Sequence, residues 1–267
     1  MLKYVNNKGK VIEFDGKKYF TNSLSLRDYN WNYDTEYNKI KNFNKNAPTT
    51  KKLNISIKLA ENEQSVKNFN SIFEIFEDDV LSKTPGKLYI GDYYFKCFVI
   101  ASEKQDLYPQ NILNLNLTLV SDTNCWTKET TFSFKIGGVL SGHGYVYGYP
   151  YRYASIGLKS FFNDTFSDSD FKLRIFGPAE NPTLFIGDNI YKVNYSVNPR
   201  EYLEIDSFQK IVDLVQTNGT HVSVLNYRDR DNYIFQKIAP GMNYVSWNNS
   251  FPFDITVYDE RSEPPWI

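Results

Sequence analysis

Histidine and cysteine are nearly missing from this 267-residue chain, which has two of each: His143, His221, Cys97 and Cys125. No cluster of them has zinc-ligand spacing. Neither histidine stands in a Ser/His/Asp or Cys/His pattern of nucleophilic catalysis. No glycine-rich loop opens a helix, so there is no phosphate cradle. Carboxylates are plentiful but scattered, and no pair of them is singled out for glycoside hydrolysis. Asp164, Asp168 and Asp170 gather in a Ser/Asn-rich loop without the register of a calcium loop, and read as solvated turn carboxylates. The expectation is a protein that is not an enzyme and holds no cofactor or metal.

Charge of one sign is also lacking. Thirty Lys and Arg face thirty-one Asp and Glu, for a net charge of −1. No global basic field exists to hold DNA or an anionic membrane, so neither sequence-specific nucleic acid nor membrane is expected as a partner. The longest apolar run is far short of a membrane span, and Met1 to Phe14 contains no signal-peptide core. A chain of this length does not need a disulfide to fold, and both cysteines are expected as reduced thiols, one of them buried in a strand.

What the chain has is aromatics: 17%, with 21 Tyr and 20 Phe. They suit the pleated, half-buried surfaces of β-structure. One long helix interrupts that pattern. Val66, Phe69, Ile72, Phe73, Phe76 and Val80 recur at helical spacing over residues 62–81, with Asn62 as N-cap and Pro85-Gly86 beyond the end. Leu53, Ile55, Ile57 and Leu59 alternate as a strand before it. After it, Lys87–Ile90, a Gly91-Asp92 turn and Tyr93–Ser102 read as a hairpin, Glu103–Gln110 as a polar turn, and Leu113–Leu119 as another strand.

The first 25 residues read as a β-meander. Leu24 to Pro48 is a long hairpin or loop, with Tyr29, Trp31 and Tyr33 among turn formers and a basic, Asn-rich stretch from Lys39 to Asn46. It is either solvated or an arm that grips a neighbouring subunit. The pattern restarts near residue 130, giving expected domains 1–130 and 131–267. The second opens with five tyrosines on alternate positions, Tyr145, Tyr147, Tyr149, Tyr151 and Tyr153, which share one face of an extended backbone. That face suits a packed seam, or else a sugar platform. From Phe171 short strands and turn signals follow at close intervals: Lys172–Phe176, Thr183–Ile186, Ile190–Val193, Tyr202–Ile205, Lys210–Val215, His221–Leu225 across Asn218-Gly219, Tyr233–Ile238, Asn243–Trp247 and Asp254–Asp259. These predict a β-sandwich, a jelly roll in form.

Several runs resemble the distal tail protein (Dit) family of long-tailed bacteriophages. They are Thr84-Pro85-Gly86-Lys87-Leu88-Tyr89-Ile90-Gly91-Asp92-Tyr93-Tyr94, Cys125-Trp126-Thr127-Lys128-Glu129, Asn181-Pro182, Glu201–Ser207, Ala239-Pro240-Gly241-Met242-Asn243, Asp254–Tyr258 and Arg261-Ser262-Glu263-Pro264-Pro265-Trp266. Arg152 stands where the family's Tyr-Pro-Tyr-Asp-Tyr-like run has Asp. The resemblance implies a mainly β chain: an N-terminal tail-tube-like β-sandwich or barrel with one packed helix, then a C-terminal sandwich like that of galectins and carbohydrate modules. It further implies a homo-hexameric ring in the virion at the tail tip, assembled in the host bacterial cytoplasm and continuing the channel for DNA and tape-measure protein. Its partners would be the tail tube protein, the tail-associated lysin or hub protein, and receptor-binding or baseplate proteins. The alternative function is a carbohydrate-binding module using an aromatic face of the second domain.

Overall fold

The computed structural model describes residues 2–14, 16, 19–22, 24–44, 47–58, 63–108, 112–136 and 159–266. Asn62, Leu59, His143 and the tyrosine run from Tyr145 to Tyr153 lie outside them, as does the side chain of Val66. The chain forms two compact units, residues 1–128 with 260–267, and residues 129–259. The last eight residues thus belong to the first unit, whereas a division at residue 130 assigns them to the second.

The first unit comprises β1 (Leu2–Val5), β2 (Val11–Phe14), β3 (Tyr19–Asn22), β4 (Asn32–Glu36), β5 (Lys39–Asn44), β6 (Thr49–Lys58), α1 (Glu63–Ser82), β7 (Gly86–Ile90), β8 (Tyr93–Tyr108), β9 (Ile112–Ser121) and the start of β10 (Trp126–Phe134). One sheet runs β2-β1-β7-β8, and β10 joins β8 where Thr127 pairs Tyr94. The other runs β3-β6-β9-β8. The 16-residue β8 therefore serves both sheets: its first five residues pair β7, and from Phe98 it pairs β9. The change of partner coincides with a register shift between Val99 and Ala101, which leaves Ile100 56% exposed. An extra residue of this kind bends a strand and raises its twist. Where a polar turn is expected at Glu103–Gln110, β8 instead runs on to Tyr108, paired antiparallel with β9, and Pro109 and Gln110 lie outside the described residues. Its polar residues Glu103 and Lys104, on opposite faces of a paired strand, are both exposed, which reads like a turn when only composition is seen.

Helix α1 lays Phe69, Ile72, Phe73 and Phe76 on a core that includes Leu53, Ile55, Leu88, Phe95 and Trp126. The stripe does not continue to Val80, which is 43% exposed; the neighbouring Asp79 is fully buried in its place. Both positions fit the spacing, three or four residues after Phe76. Hydrogen bonding decides between them: Tyr4 and the Asn7 N–H supply donors for an inward carboxylate. The helix ends with Thr84 N–H on Asp79 C=O and Lys83 N–H on Val80 C=O, and Lys83 takes φ 55. That is a Schellman closure with lysine where glycine is usual.

The second unit adds β11 (Lys159–Asn163), β12 (Phe171–Phe176), β13 (Ala179–Glu180), β14 (Thr183–Ile186), β15 (Asn189–Lys192), β16 (Ser196–Val197), β17 (Tyr202–Asp206), β18 (Ile211–Val215), β19 (His221–Ser223), β20 (Gly241–Trp247) and β21 (Phe253–Arg261). One sheet is ordered β19-β18-β17-β12-β21, the other β11-β20-β14-β15. Leu173, Leu203, Val212 and Ile255 from the first meet Phe161, Leu184, Tyr191 and Val245 from the second in one core. Phe134 stacks on Phe253 with centroids 4.7 Å apart. The whole is mainly β, as expected.

Three expectations change here. Lys159–Asn163 is a strand not anticipated, paired with β20. The strand expected at Tyr233–Ile238 is instead a turn, closed by Gln236 N–H on Tyr233 C=O. It tucks the adjacent residues Ile234 and Phe235 inward together, which a strand's alternation forbids. Asp170 is not a solvated turn carboxylate: it is buried, accepts the Ser207 hydroxyl at 2.9 Å and pairs with the Lys237 ammonium at 2.7 Å.

Candidate interface surfaces

Between Leu24 and Pro48 the chain leaves the first unit's sheets and makes a two-stranded hairpin of its own, β4 with β5. Its tip is Tyr37-Asn38, with φ 49 and 60. Left-handed backbone at both central residues matches the right-handed twist of the flanking strands. Every residue of β4 is exposed. Tyr33, Tyr37, Ile40 and Phe43 are 57%, 94%, 55% and 60% exposed, an apolar load that two strands cannot bury between themselves. Phe43 gathers what packing there is, with Trp31 and Tyr33 edge-on to it at 6.3 and 6.5 Å.

The root of the hairpin is firm. Leu26 is fully buried, and the Lys51 ammonium donates to the carbonyls of Leu26 and Asp28, at 3.0 and 2.5 Å. Burial pulls this ammonium below its ordinary pKa, while the carboxylates of Asp28 and Glu263 resist that shift. Arg27 donates to the carbonyls of Pro264 and Pro265, at 2.6 and 3.2 Å, and its guanidinium lies 4.4 Å from the ring centre of Trp266. The C-terminal Pro-Pro-Trp thus fastens the base of the hairpin, a job its distance in sequence conceals.

Of the candidate residues, Tyr29 and Tyr33 are exposed on this segment and Trp31 is half-buried against Phe43. Tyr145, Tyr147, Tyr149, Tyr151 and Tyr153 are outside the described residues. Sequence reasoning missed Tyr37, Ile40 and Phe43. The available signal was aromatic and branched residues flanking a Tyr-Asn turn, hidden by the basic, Asn-rich character of the stretch.

A second apolar surface is the outward face of β11-β20-β14-β15. Phe162 pairs across from Met242, and Phe185 lies between Ser246 and Ile190. Phe162, Met242, Tyr244 and Phe185 are each 44–58% exposed, alternating with core residues on the same strands. Among the described residues no group of three or more His, Cys, Asp or Glu is placed to hold a metal ion, and no helix is long and apolar enough to cross a membrane.

No family profile matches the sequence, and no curated protein matches it. Solved structures do. The Dit protein of phage SPP1, described as a paradigm of the hub adsorption apparatus in phages infecting Gram-positive bacteria, aligns over 98% of this chain and 99% of its own, with TM-score 0.57 and 10% identity. A chain of the phage P2 baseplate in its activated conformation with Ca aligns over 99% of this chain and 100% of its own, with TM-score 0.56 and 13% identity. The same baseplate with Sr gives equal values. This chain has the fold of those proteins across essentially its whole length.

Proposed function

We propose that this chain is a structural hub of a phage tail tip, assembling as a homo-hexameric ring between the tail tube and the adhesion apparatus. The observation that carries the reading is the match, over 98–99% of this chain, to a Dit hub protein and to baseplate chains. The exposed hairpin supports it. A two-stranded hairpin is marginal alone in water, yet this one carries Tyr33, Tyr37, Ile40 and Phe43 into solvent on a root clamped by Lys51 and Arg27. Head-to-tail rings need two different adhesive surfaces per protomer, and the hairpin is one of them. The ring continues the channel for DNA and tape-measure protein, and tail tube protein, tail-associated lysin and receptor-binding or baseplate proteins dock around it.

The test is the mass of the purified protein by light scattering, with negative-stain imaging, alone and with purified tail tubes. Six-fold rings with a central hole are expected. A protein that stays monomeric and never caps a tube overturns the hub reading. Replacing residues 32–44 by a short Gly/Ser turn is expected to abolish ring formation while both units still melt as in the parent. Intact rings from that deletion overturn the role of the hairpin.

A further inference from the structure

The loop from Arg228 to Phe235, of which the sequence assigns only Tyr233–Phe235 to a strand, walls an open cavity of about 790 Å³ together with Lys210 and Leu225. This lies within the roughly 300–1,000 Å³ usual for small-ligand sites. Its centre is aromatic and cationic at once. Tyr233 is 58% exposed, and the Lys210 ammonium stands 5.6 Å from its ring centre and 5.3 Å from that of Phe235. Lys210 is held there by a turn residue's left-handed backbone, φ 59.

The polar groups around the ring differ in how far they are already engaged. Arg228 donates to the Leu225 carbonyl at 3.0 Å. Asp229 accepts the Asn232 amide at 2.8 Å and faces Lys192 at 4.0 Å. Arg230 and Asp231 are exposed and make no side-chain hydrogen bond or ion pair among the described residues. The lining cations Lys210, Arg228 and Arg230 thus face the carboxylates of Asp229 and Asp231, the first of which is already occupied, so the lining is biased positive around an exposed ring that Phe235 meets edge-on.

We propose that this cavity binds a saccharide that carries an anionic group, phosphate or carboxylate. The phenol ring of Tyr233 offers carbon surface for the C–H face of a sugar. Arg230, Asp231 and Asn232 are planar groups that meet neighbouring hydroxyls in pairs. The guanidinium fork of Arg230 fits two oxygens of one anion, and Lys210 adds a point charge beside the ring. The cavity is open, which suits one unit of a longer glycan. The inference does not rest on the tail-hub reading, and either can fail without the other.

The test is calorimetric titration of the full-length protein at low salt with glucose 1-phosphate, glucuronic acid, glucose and inorganic phosphate. At least one charged sugar is expected to bind about tenfold more tightly than either glucose or phosphate, a difference of about 1.4 kcal/mol. Which charged sugar wins tells phosphate from carboxylate. Arg230→Ala and Tyr233→Ala, both at exposed positions and checked for unchanged melting, are each expected to weaken that binding by about tenfold. Glucose binding as tightly as both charged sugars overturns the anionic assignment. Phosphate binding as tightly as glucose 1-phosphate, untouched by Tyr233→Ala, overturns the saccharide. No binding by any probe, or binding indifferent to both substitutions, overturns the site.

Discussion

The phenol of Tyr4 donates to the carboxylate of Asp79 at 2.6 Å, across 75 residues of sequence. Asp79 is fully buried, and its other oxygen accepts the backbone N–H of Asn7 at 2.9 Å. Tyr4 packs edge-on against Phe76, centroids 5.1 Å apart, one turn earlier on the same helix. Burial first, and the neighbouring carboxylate next, push the phenol far above its ordinary pKa, so it stays a proton donor at any physiological pH. One hydrogen bond thus pins the last turn of α1 to β1 and accounts for an acid on an otherwise apolar stripe.

Tyr4→Phe keeps the ring and removes only the donor. A buried carboxylate left short of a partner costs about 1–3 kcal/mol. The midpoint of urea unfolding for the first unit is expected to fall accordingly, with an unchanged slope. A midpoint equal to the parent's would show that water replaces the phenol without cost.

Gly86 is where the chain after the helix passes this pair. A Cβ there would stand 2.2 Å from the Tyr4 hydroxyl oxygen and 2.5 Å from an Asp79 oxygen. Gly86→Ala is therefore expected to destabilise by about 1–3 kcal/mol, as overpacking does. Combined with Tyr4→Phe, the loss is expected to be smaller than the sum, since both changes act on one contact. Strict additivity in equilibrium unfolding would refute the shared cause.

Lys83 holds the left-handed position that closes α1, φ 55, with its side chain exposed. A non-glycine residue there costs about 1–2 kcal/mol, of which glycine's extra unfolded freedom returns part. Lys83→Gly is expected to stabilise by about 0.5–1 kcal/mol. A lower melting temperature would mean that the lysine makes a contact worth more than the strain.

In the second unit Arg174 donates to Glu204 at 2.8 Å, and the Lys172 ammonium lies 3.2 Å from its other oxygen. Burial opposes the charge, but Arg174 and Lys172 outweigh it and hold the carboxyl below its ordinary pKa. A depressed carboxyl stabilises the fold fully above its unfolded value of about 4.3, and the contribution is lost as pH falls through the lower folded value. Thermal melts from about pH 7 to about pH 3 are expected to show Glu204→Gln less stable at neutrality and converging on the parent in acid. Parallel curves across that range would rule this pair out as a source of acid sensitivity.

The elements legible in the sequence are those whose cause is local. The helix runs to Ser82 because its apolar residues keep a helical period up to Phe76 and proline follows at Pro85. Gly91, Gly187 and Gly219 take φ 61, 57 and 80 in the three turns that were marked by Gly-Asp and Asn-Gly pairs. The alternation of Leu53, Ile55 and Ile57 and of Leu115, Leu117 and Leu119 names the buried faces of β6 and β9, because a strand has a period of two. The aromatic arm was legible as an interruption, and Tyr29, Trp31 and Tyr33 as its residues.

By itself, then, the sequence determined the class of the chain, one long helix among many strands, and where most of them begin and end, since periodicity and turn chemistry are carried by neighbours in the chain. Tertiary structure alone decided that Asp79 rather than Val80 faces inward, that β8 passes from one sheet to the other at Ile100, and that Trp266 returns to clasp Arg27. It also decided that Tyr233 to Phe235, expected to open a strand, line a cavity with Arg228 to Asn232 instead. Each of those outcomes is set by a partner tens to hundreds of residues away, and a local pattern carries no record of the donor, strand edge or ring that will meet it in space.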